Sequence, residues 1–421
     1  MEQRRVLLVA REFPPSGGAA SIRLTKLAKY LPGLGWDVEV LTVPDDHAWS
    51  ADETLQAELP DGLTVHRVPR LLAGAVDPAG GAAGAVDDLR PDWRRRLAGA
   101  LLLPDPGVLW SIPALRTARR LARRVDAVLT SAPPFSTHLI GLGLFDEVAW
   151  VADYRDNWTT NPDFVRGKLP HALNRILERR VLRHAGAVTV VSDAARRELL
   201  GLEPNLANRI RIAMNGFDPA DLPDEPPDRD HFRVVYAGSM RHHRDPIPLL
   251  AVLADAARRN PDLHGRLRVE LVGRIPASLQ TQAGALLPDR VVTPGFLPHR
   301  EALRRSAAAA VQVVLSARSE AGEAALTSKL FECLALRRPV LFIGPQGPGT
   351  DLVRSLDAGE VVDPGDEAGL ASAVQRLLAE WRTGAERVAS PEALEPFTRV
   401  ATAEAVALAL EDAVSRSRTR G

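Results

Sequence analysis

Three short stretches carry residues whose types and spacing suit the handling of an anionic ligand. The first is Pro14-Pro15-Ser16-Gly17-Gly18-Ala19-Ala20. Its glycines let the backbone approach a ligand closely, and a helix opening behind them would turn its free amides toward an anion. The same residues would also make an ordinary strand-to-helix turn. They lack the spacing Gly-x-Gly-x-x-Gly, which disfavours a nicotinamide or flavin dinucleotide. The second stretch is Gly238-Ser239-Met240-Arg241-His242-His243-Arg244-Asp245-Pro246. Guanidinium groups just after a parallel strand pair with phosphate oxygens at fixed geometry, so Arg241 or Arg244 is a candidate for a diphosphate. His242 and His243 read as loop surface. The third is Thr327-Ser328-Lys329-Leu330-Phe331-Glu332. A carboxylate one turn into a helix gains from the positive end of the dipole and can accept both hydroxyls of a ribose; it can equally serve stability alone.

These stretches hold no Asp-x-Asp pair or spaced histidine cluster that would suggest a metal, and none is expected as a cofactor. The 53 Lys and Arg balance 53 Asp and Glu, so no global field draws in nucleic acid, and an anion must be held locally. The single cysteine, Cys333, rules out an intramolecular disulfide and a Cys-based zinc cluster. The apolar run at Val6 is too short for a signal-peptide core, and no segment reaches about 18 uninterrupted apolar residues. A cytoplasmic protein is expected, at most touching the inner face of a membrane.

These stretches need elements to position them. Val6 to Ala10 is a buried-strand run, followed by helical spacing through Leu24, Leu27, Ala28 and Leu31. Further strands are expected at Val38 to Val43, Thr64 to Val68, Ala127 to Thr130, Ala149 to Ala152 and Ala187 to Val191. Pro- and acid-rich residues 219–230 then interrupt the pattern as a linker. Beyond them strands are expected at Arg233 to Ala237, Arg268 to Val272, Arg290 to Pro294, Val311 to Leu315 and Pro339 to Ile343, with helices at Leu249 to Arg259 and Ser328 to Leu336.

Such alternation specifies an α/β fold of two doubly wound, Rossmann-like domains. The domains are 1–218 and 231–395, with helical residues 396–421 crossing back onto the first. Ligands of doubly wound sheets sit at the carboxyl ends of the strands, so one cleft between the domains is expected to take them. Residues 73–107 form a Gly-, Ala- and Pro-rich insertion carrying Trp93-Arg94-Arg95-Arg96-Leu97, either a solvated helix face or a basic segment able to rest on an anionic membrane.

Taken together, several segments resemble the family 4 glycosyltransferases, retaining enzymes of the GT-B fold. They are the Gly-rich first loop, Asn215-Gly216-Phe217-Asp218, the Gly-Ser-x-Arg segment, Gly295-Phe296-Leu297, and Ser-Lys-Leu-Phe-Glu-Cys-Leu-Ala before Arg338-Pro339-Val340. Ser131-Ala132-Pro133-Pro134-Phe135-Ser136-Thr137-His138 and Trp150-Val151-Ala152-Asp153-Tyr154-Arg155-Asp156-Asn157-Trp158 look like the bacterial polysaccharide or secondary-metabolite members.

The resemblance implies metal-independent transfer of a sugar, with retention, from a nucleotide diphosphate sugar, UDP being the commonest. The acceptor would be a hydroxyl of a glycan, lipid-linked saccharide or small molecule. Glu332 matches the second glutamate of the family's Glu-x7-Glu motif, expected on the donor ribose. Ala324 stands where the first belongs, with Glu320 and Glu323 nearby. Gly17, Gly18, Arg241 and Arg244 fall on the donor's diphosphate and Gly295, Phe296 and Leu297 on its base, with Gly238, Ser239, Ser328 and Lys329 as further donor-binding candidates. Asp153, Arg155 and His138 are the catalytic candidates, with Asp153 or His138 assisting proton transfer; Asp156, Trp158 and Trp93 are the acceptor-side ones. Asp153 and Arg155 could instead be a buried ion pair. A nucleotide-sugar 2-epimerase of the same architecture, or a degenerate transferase that only binds nucleotide, are the alternatives.

Overall fold

The structure is a computed structural model; it describes residues 3–45, 51–71, 102–161, 164, 168–238, 240, 244–316, 326 and 328–419. The chain forms two compact units, Met1–Asn215 with Arg399–Gly421, and Gly216–Thr398.

In the first unit seven parallel strands run β1 (Arg4–Val9), β2 (Trp36–Thr42), β3 (Thr64–Arg67), β4 (Ala127–Ala132), β5 (Ala149–Tyr154), β6 (Ala187–Val190) and β7 (Ile210–Ile212), in the spatial order β3-β2-β1-β4-β5-β6-β7. The order reverses beside β1, whose neighbours are β2 and β4. Loops leaving β1 and β4 therefore diverge and leave a crevice at their carboxyl ends. Helices α1 (Ala19–Tyr30), α2 (Val108–Ala122), α3 (Thr137–Leu142), α4 (Lys168–His184) and α5 (Asp193–Leu202) join these strands.

The second unit repeats the scheme. Strands β8 (Phe232–Ala237), β9 (Leu267–Val272), β10 (Val291–Gly295), β11 (Val311–Leu315), β12 (Val340–Ile343) and β13 (Gly359–Val362) lie in the order β10-β9-β8-β11-β12-β13, which puts its switch point between β8 and β11. The helices that matter below are α6 (Ile247–Arg259), α7 (His299–Ala307), α8 (Ser328–Ala335) and α9 (Glu367–Thr383).

Alternation along each strand explains the layers. Leu7, Val9, Val128, Trp150 and Ala152 point to one face of the first sheet, where Trp110, Ala114, Ala118 and Leu121 of α2 cover them. Val6, Leu8, Leu129 and Val151 point to the other, covered by α1 and by α10 (Arg399–Arg418). The C-terminal helix thus packs on the first unit, as its Ala and Leu spacing predicts. Its approach is close: a Cβ on Gly186 would lie 3.0 Å from the Ala413 methyl and 3.2 Å from the Trp150 carbonyl.

Two expectations change. Strands β7 and β13 were not foreseen, being short and partly exposed, so no long apolar run marks them. Residues 219–230 belong to the second unit and do not stand between the two as a linker. Phe217 packs there with Phe331 and Leu330, its amide donates to the Phe397 carbonyl at 3.0 Å, and Asp228 accepts from Arg233 at 2.8 Å. No helix among the described residues is long and apolar enough to cross a membrane.

Candidate active site

In the first unit the crevice loops are fixed by a buried polar network. Gly18 caps α1 with φ +104°, a left-handed conformation that a side chain would strain, and no side chain caps the helix. Gly18 has no side chain to accept from the first amides of α1. One turn further, Arg23 is buried and grips Asp153 at the end of β5, Nη2 to Oδ1 at 2.8 Å and Nε to Oδ2 at 3.3 Å. Ser131 Oγ and Thr189 Oγ1 each donate to the same carboxylate at 2.7 Å. Burial alone would raise the Asp153 pKa; the Arg23 charge and these donors hold it below the usual carboxylate value.

With four donors on its two oxygens, Asp153 is a structural anion and not the proton acceptor that the sequence suggests. Its ion-pair partner is Arg23, not Arg155. Arg155 instead donates to the Pro133 carbonyl and lies 4.0 Å from Glu12. Arg23 also reaches the carbonyls of Ala213 at 3.0 Å and Met214 at 3.4 Å and the Asn215 side chain at 3.3 Å. Asn215 accepts in turn from Arg399 of α10 at 3.3 Å.

His138, on α3, is fully buried. Its Nδ1 lies 2.9 Å from Thr130 Oγ1, which accepts from Trp150 Nε1 at 2.8 Å, and its ring sits 4.6 Å from that of Tyr154. The Thr130 hydroxyl has one proton to give, and the Val151 carbonyl is farther, at 3.4 Å. Donation to Nδ1 puts the ring proton on Nε2, a buried atom without a partner among the described residues. Burial, with the Arg155 charge adding to it and Asp153 opposing, pushes the ring's pKa down to about 3, so His138 is neutral.

Trp158 does not offer an acceptor platform. It is fully buried, stacks on Phe135 at 5.1 Å, and donates to Asn174 Oδ1 of α4 at 2.9 Å. Asp156, by contrast, is exposed.

In the second unit the groups converge where β8 ends. Glu332 of α8 is buried; its Oε1 meets His299 Nε2 at 3.0 Å and its Oε2 meets Lys329 Nζ at 3.0 Å. Burial opposes ionisation, but the Lys329 and His299 charges outweigh it and hold the carboxyl well below its ordinary range. Glu332 in return keeps the Lys329 ammonium protonated against its own desolvation. Arg244 lies against the phenol of Tyr236 near the end of β8, and Lys329 adds its charge there. A carboxylate and two cations thus share one crevice.

Gly295 closes β10 with φ +79°, Phe296 is 41% exposed beneath the Arg274 guanidinium at 5.7 Å, and Leu297 packs inward on Val235 and Val272. Gly238 follows β8, and a Cβ built on it would lie 3.2 Å from the Tyr236 hydroxyl. Ser328 opens α8. Trp93, Ser239, Arg241, Glu320, Glu323 and Ala324 lie outside the described residues. Arg23, Tyr236 and His299 were missed in the sequence. A signal existed for Arg23, a cation that falls with Lys26 among the apolar Ile22, Leu24, Leu27 and Ala28 of one helix.

Two doubly wound, Rossmann-like units with parallel sheets of seven and six strands place the chain in the GT-B fold class. The chain belongs to the family 4-type glycosyltransferases: residues 17–221 match the model described as Glycosyltransferase Family 4, and residues 231–380 match Glycosyl transferases group 1. Among curated proteins none matches the chain in sequence. Solved structures share the fold. Sucrose-phosphate synthase from Thermosynechococcus elongatus superposes with TM-score 0.64 at 18% identity, covering 99% of this chain and 100% of that one. HepE of Anabaena, in complex with UDP and glucose, gives 0.68 at 17%, covering 97% and 99%. A glycosyltransferase from Rickettsia africae gives 0.57 at 13%, covering 100% and 98%.

Proposed function

We propose that the chain is a retaining, metal-independent hexosyltransferase. It takes a nucleotide diphosphate sugar, with UDP favoured, in the second unit and transfers the sugar to a hydroxyl of a glycan or lipid-linked saccharide brought to the first, in bacterial polysaccharide or secondary-metabolite synthesis at the cytoplasmic side of the membrane. The observation that carries this reading is the Glu332 carboxylate, ionised and aimed by His299 and Lys329. Each oxygen keeps a lone pair for one hydroxyl of a ribose diol. Arg244 and Lys329 stand ready for the diphosphate and do the neutralising that a metal does elsewhere. The departing phosphate takes the acceptor proton, and the protein supplies position and charge. UDP is favoured because the HepE structure of the same fold holds UDP and glucose.

On the first unit, the neutral His138 offers Nε2–H to a sugar hydroxyl, and the glycine-capped start of α1 at Gly18 is suited to an anionic phosphate. The test is a thermal-shift screen in EDTA against UDP, GDP, ADP, dTDP and their sugar conjugates, since a ligand bound to the native state raises its apparent stability. A selective rise with one nucleotide, followed by release of that nucleotide on adding a saccharide acceptor, supports transfer. No response at millimolar nucleotide, or a response only with added divalent metal, overturns it.

A further inference from the structure

Helix α4 (Lys168–His184) turns two very different faces outward and inward. Asn174, Glu178, Val181 and Leu182 are buried. At about 100° per residue the face diametrically opposite carries Leu169, Leu173 and Ile176. These are 70%, 39% and 63% exposed, with Phe164 of the preceding loop 39% exposed beside them in sequence. They stand out among the exposed large apolar residues of the described chain, most of which are scattered singly. The helix carries Lys168, Arg175, Arg179, Arg180 and Arg183, and its only acidic residue, Glu178, is buried under Thr159. Lys168, Arg175 and Arg179 line one flank of the apolar stripe, and Arg180 continues it toward the helix end.

An apolar stripe bordered by Lys168, Arg175, Arg179 and Arg180, with Arg183 at its end paired to Glu203 at 2.7 Å, fits an anionic lipid surface, into which the side chains dip while the cations meet phosphates. A second copy of the chain would bring the same cations face to face and is disfavoured by their repulsion. We infer that the outer face of α4 docks on an anionic phospholipid surface.

The helix is tied to the acceptor-side loop from beneath. Trp158 donates to Asn174 at 2.9 Å, and the Thr159 amide donates to Glu178 at 3.2 Å. Residues 155–159, with Arg155 and Asp156, are therefore tied to the helix that docks. A loop so tied lies close to the lipid surface and suits an acceptor sugar anchored there, so the acceptor class is a lipid-linked saccharide. This step rests on the transferase reading above, whereas the docking itself does not.

The experiment is co-sedimentation of the full chain with vesicles of phosphatidylglycerol and phosphatidylcholine in equal parts, against vesicles of phosphatidylcholine alone. The wild type is expected to pellet with the anionic vesicles and to be released by high salt. Leu169→Ser/Ile176→Ser, both exposed positions, is expected to lower the partition about tenfold, and Lys168→Gln/Arg175→Gln/Arg180→Gln about as much. Circular dichroism and the nucleotide thermal shift, which reports on the second unit, are expected to stay unchanged in both. Equal pelleting of wild type and variants overturns the docking, as does a wild-type dimer in solution that the apolar variant dissolves. Loss of the nucleotide response with pelleting intact strikes the donor assignment and leaves the docking standing.

Discussion

Arg23 and Asp153 lie 130 residues apart in sequence and meet in the interior of the first unit, their closest atoms 2.8 Å apart and neither side chain more than 1% exposed. The pair joins α1, which begins at the glycine loop, to the end of β5, which leads into the acceptor-side loop. An ion pair so buried is costly to break from one side, because the remaining charge keeps its desolvation penalty without its partner. Arg23→Leu is expected to destabilise the first unit by about 3–5 kcal/mol, read from its urea transition. Arg23→Leu/Asp153→Leu, which removes both charges, is expected to recover a good part of the loss. A single variant within about 0.5 kcal/mol of wild type would show that the pair does not hold these elements together.

Glu332 invites a binding experiment. Glu332→Ala removes the acceptor for a ribose diol and leaves Lys329 and His299 without their common anion, while the surrounding apolar core of α8 is unchanged. Nucleotide affinity measured by calorimetry is expected to fall at least about tenfold, or about 1.4 kcal/mol. Unchanged affinity removes the ribose assignment.

What could be read in the sequence follows from how local each signal is. The run Val6 to Val9 announces a strand because all four side chains are fully buried and none needs a partner to be recognised. Both doubly wound units were legible in this way, as was the C-terminal helix. The sequence could offer site candidates only on local grounds, as with the glycine loop at Gly17 and Gly18 or Glu332 one turn into a helix. Trp158 beside Arg155 and Asp156 suggested an acceptor platform, but its indole nitrogen finds Asn174 on the next helix and the ring turns inward. Asp153 suggested a base because nothing near it in sequence announces Arg23, Ser131 or Thr189. Partners supplied by the topology, including His299 for Glu332, have no sequence spacing to betray them.

Glu178 gives the first unit a pH dependence. Burial, with Glu198 adding to it and the Thr159 donors and Arg175 opposing, pushes its pKa up from 4.5 to about 7. A raised carboxyl pKa means that the folded state prefers the protonated acid, so its contribution is complete below pH 4.5 and is lost as pH rises to about 7. Glu178→Gln keeps an oxygen for the Thr159 amide and hydroxyl without the charge. It is expected to flatten the stability profile in this window and to stabilise the first unit by up to roughly 3 kcal/mol at pH 8. Denaturation midpoints from pH 4 to 8 check it, and parallel profiles for wild type and variant would assign the pH dependence to another group.

His138 separates a hydrogen-bond donor from a proton-transfer base. Its pKa is pushed down from 6.5 to about 3, so the ring stays neutral throughout the range in which the enzyme is assayed. A depressed histidine pKa stabilises the fold fully above pH 6.5 and loses that contribution as pH falls toward about 3. In side-chain NMR of labelled histidines the His138 signal is therefore expected to stay put between pH 8 and pH 5, and the pH profile of kcat to show no limb near 6.5 that belongs to this ring. His138→Phe preserves an aromatic neighbour for Tyr154, and Thr130 can then donate to the Val151 carbonyl while still accepting from Trp150. The loss is thus confined to Nε2–H. We expect kcat to fall about a hundredfold with nucleotide affinity unchanged, because the donor groups sit in the other unit. Full activity in His138→Phe would return the residue to the core, and a ring that titrates near 6.5 would reopen the possibility that it carries a proton in the reaction.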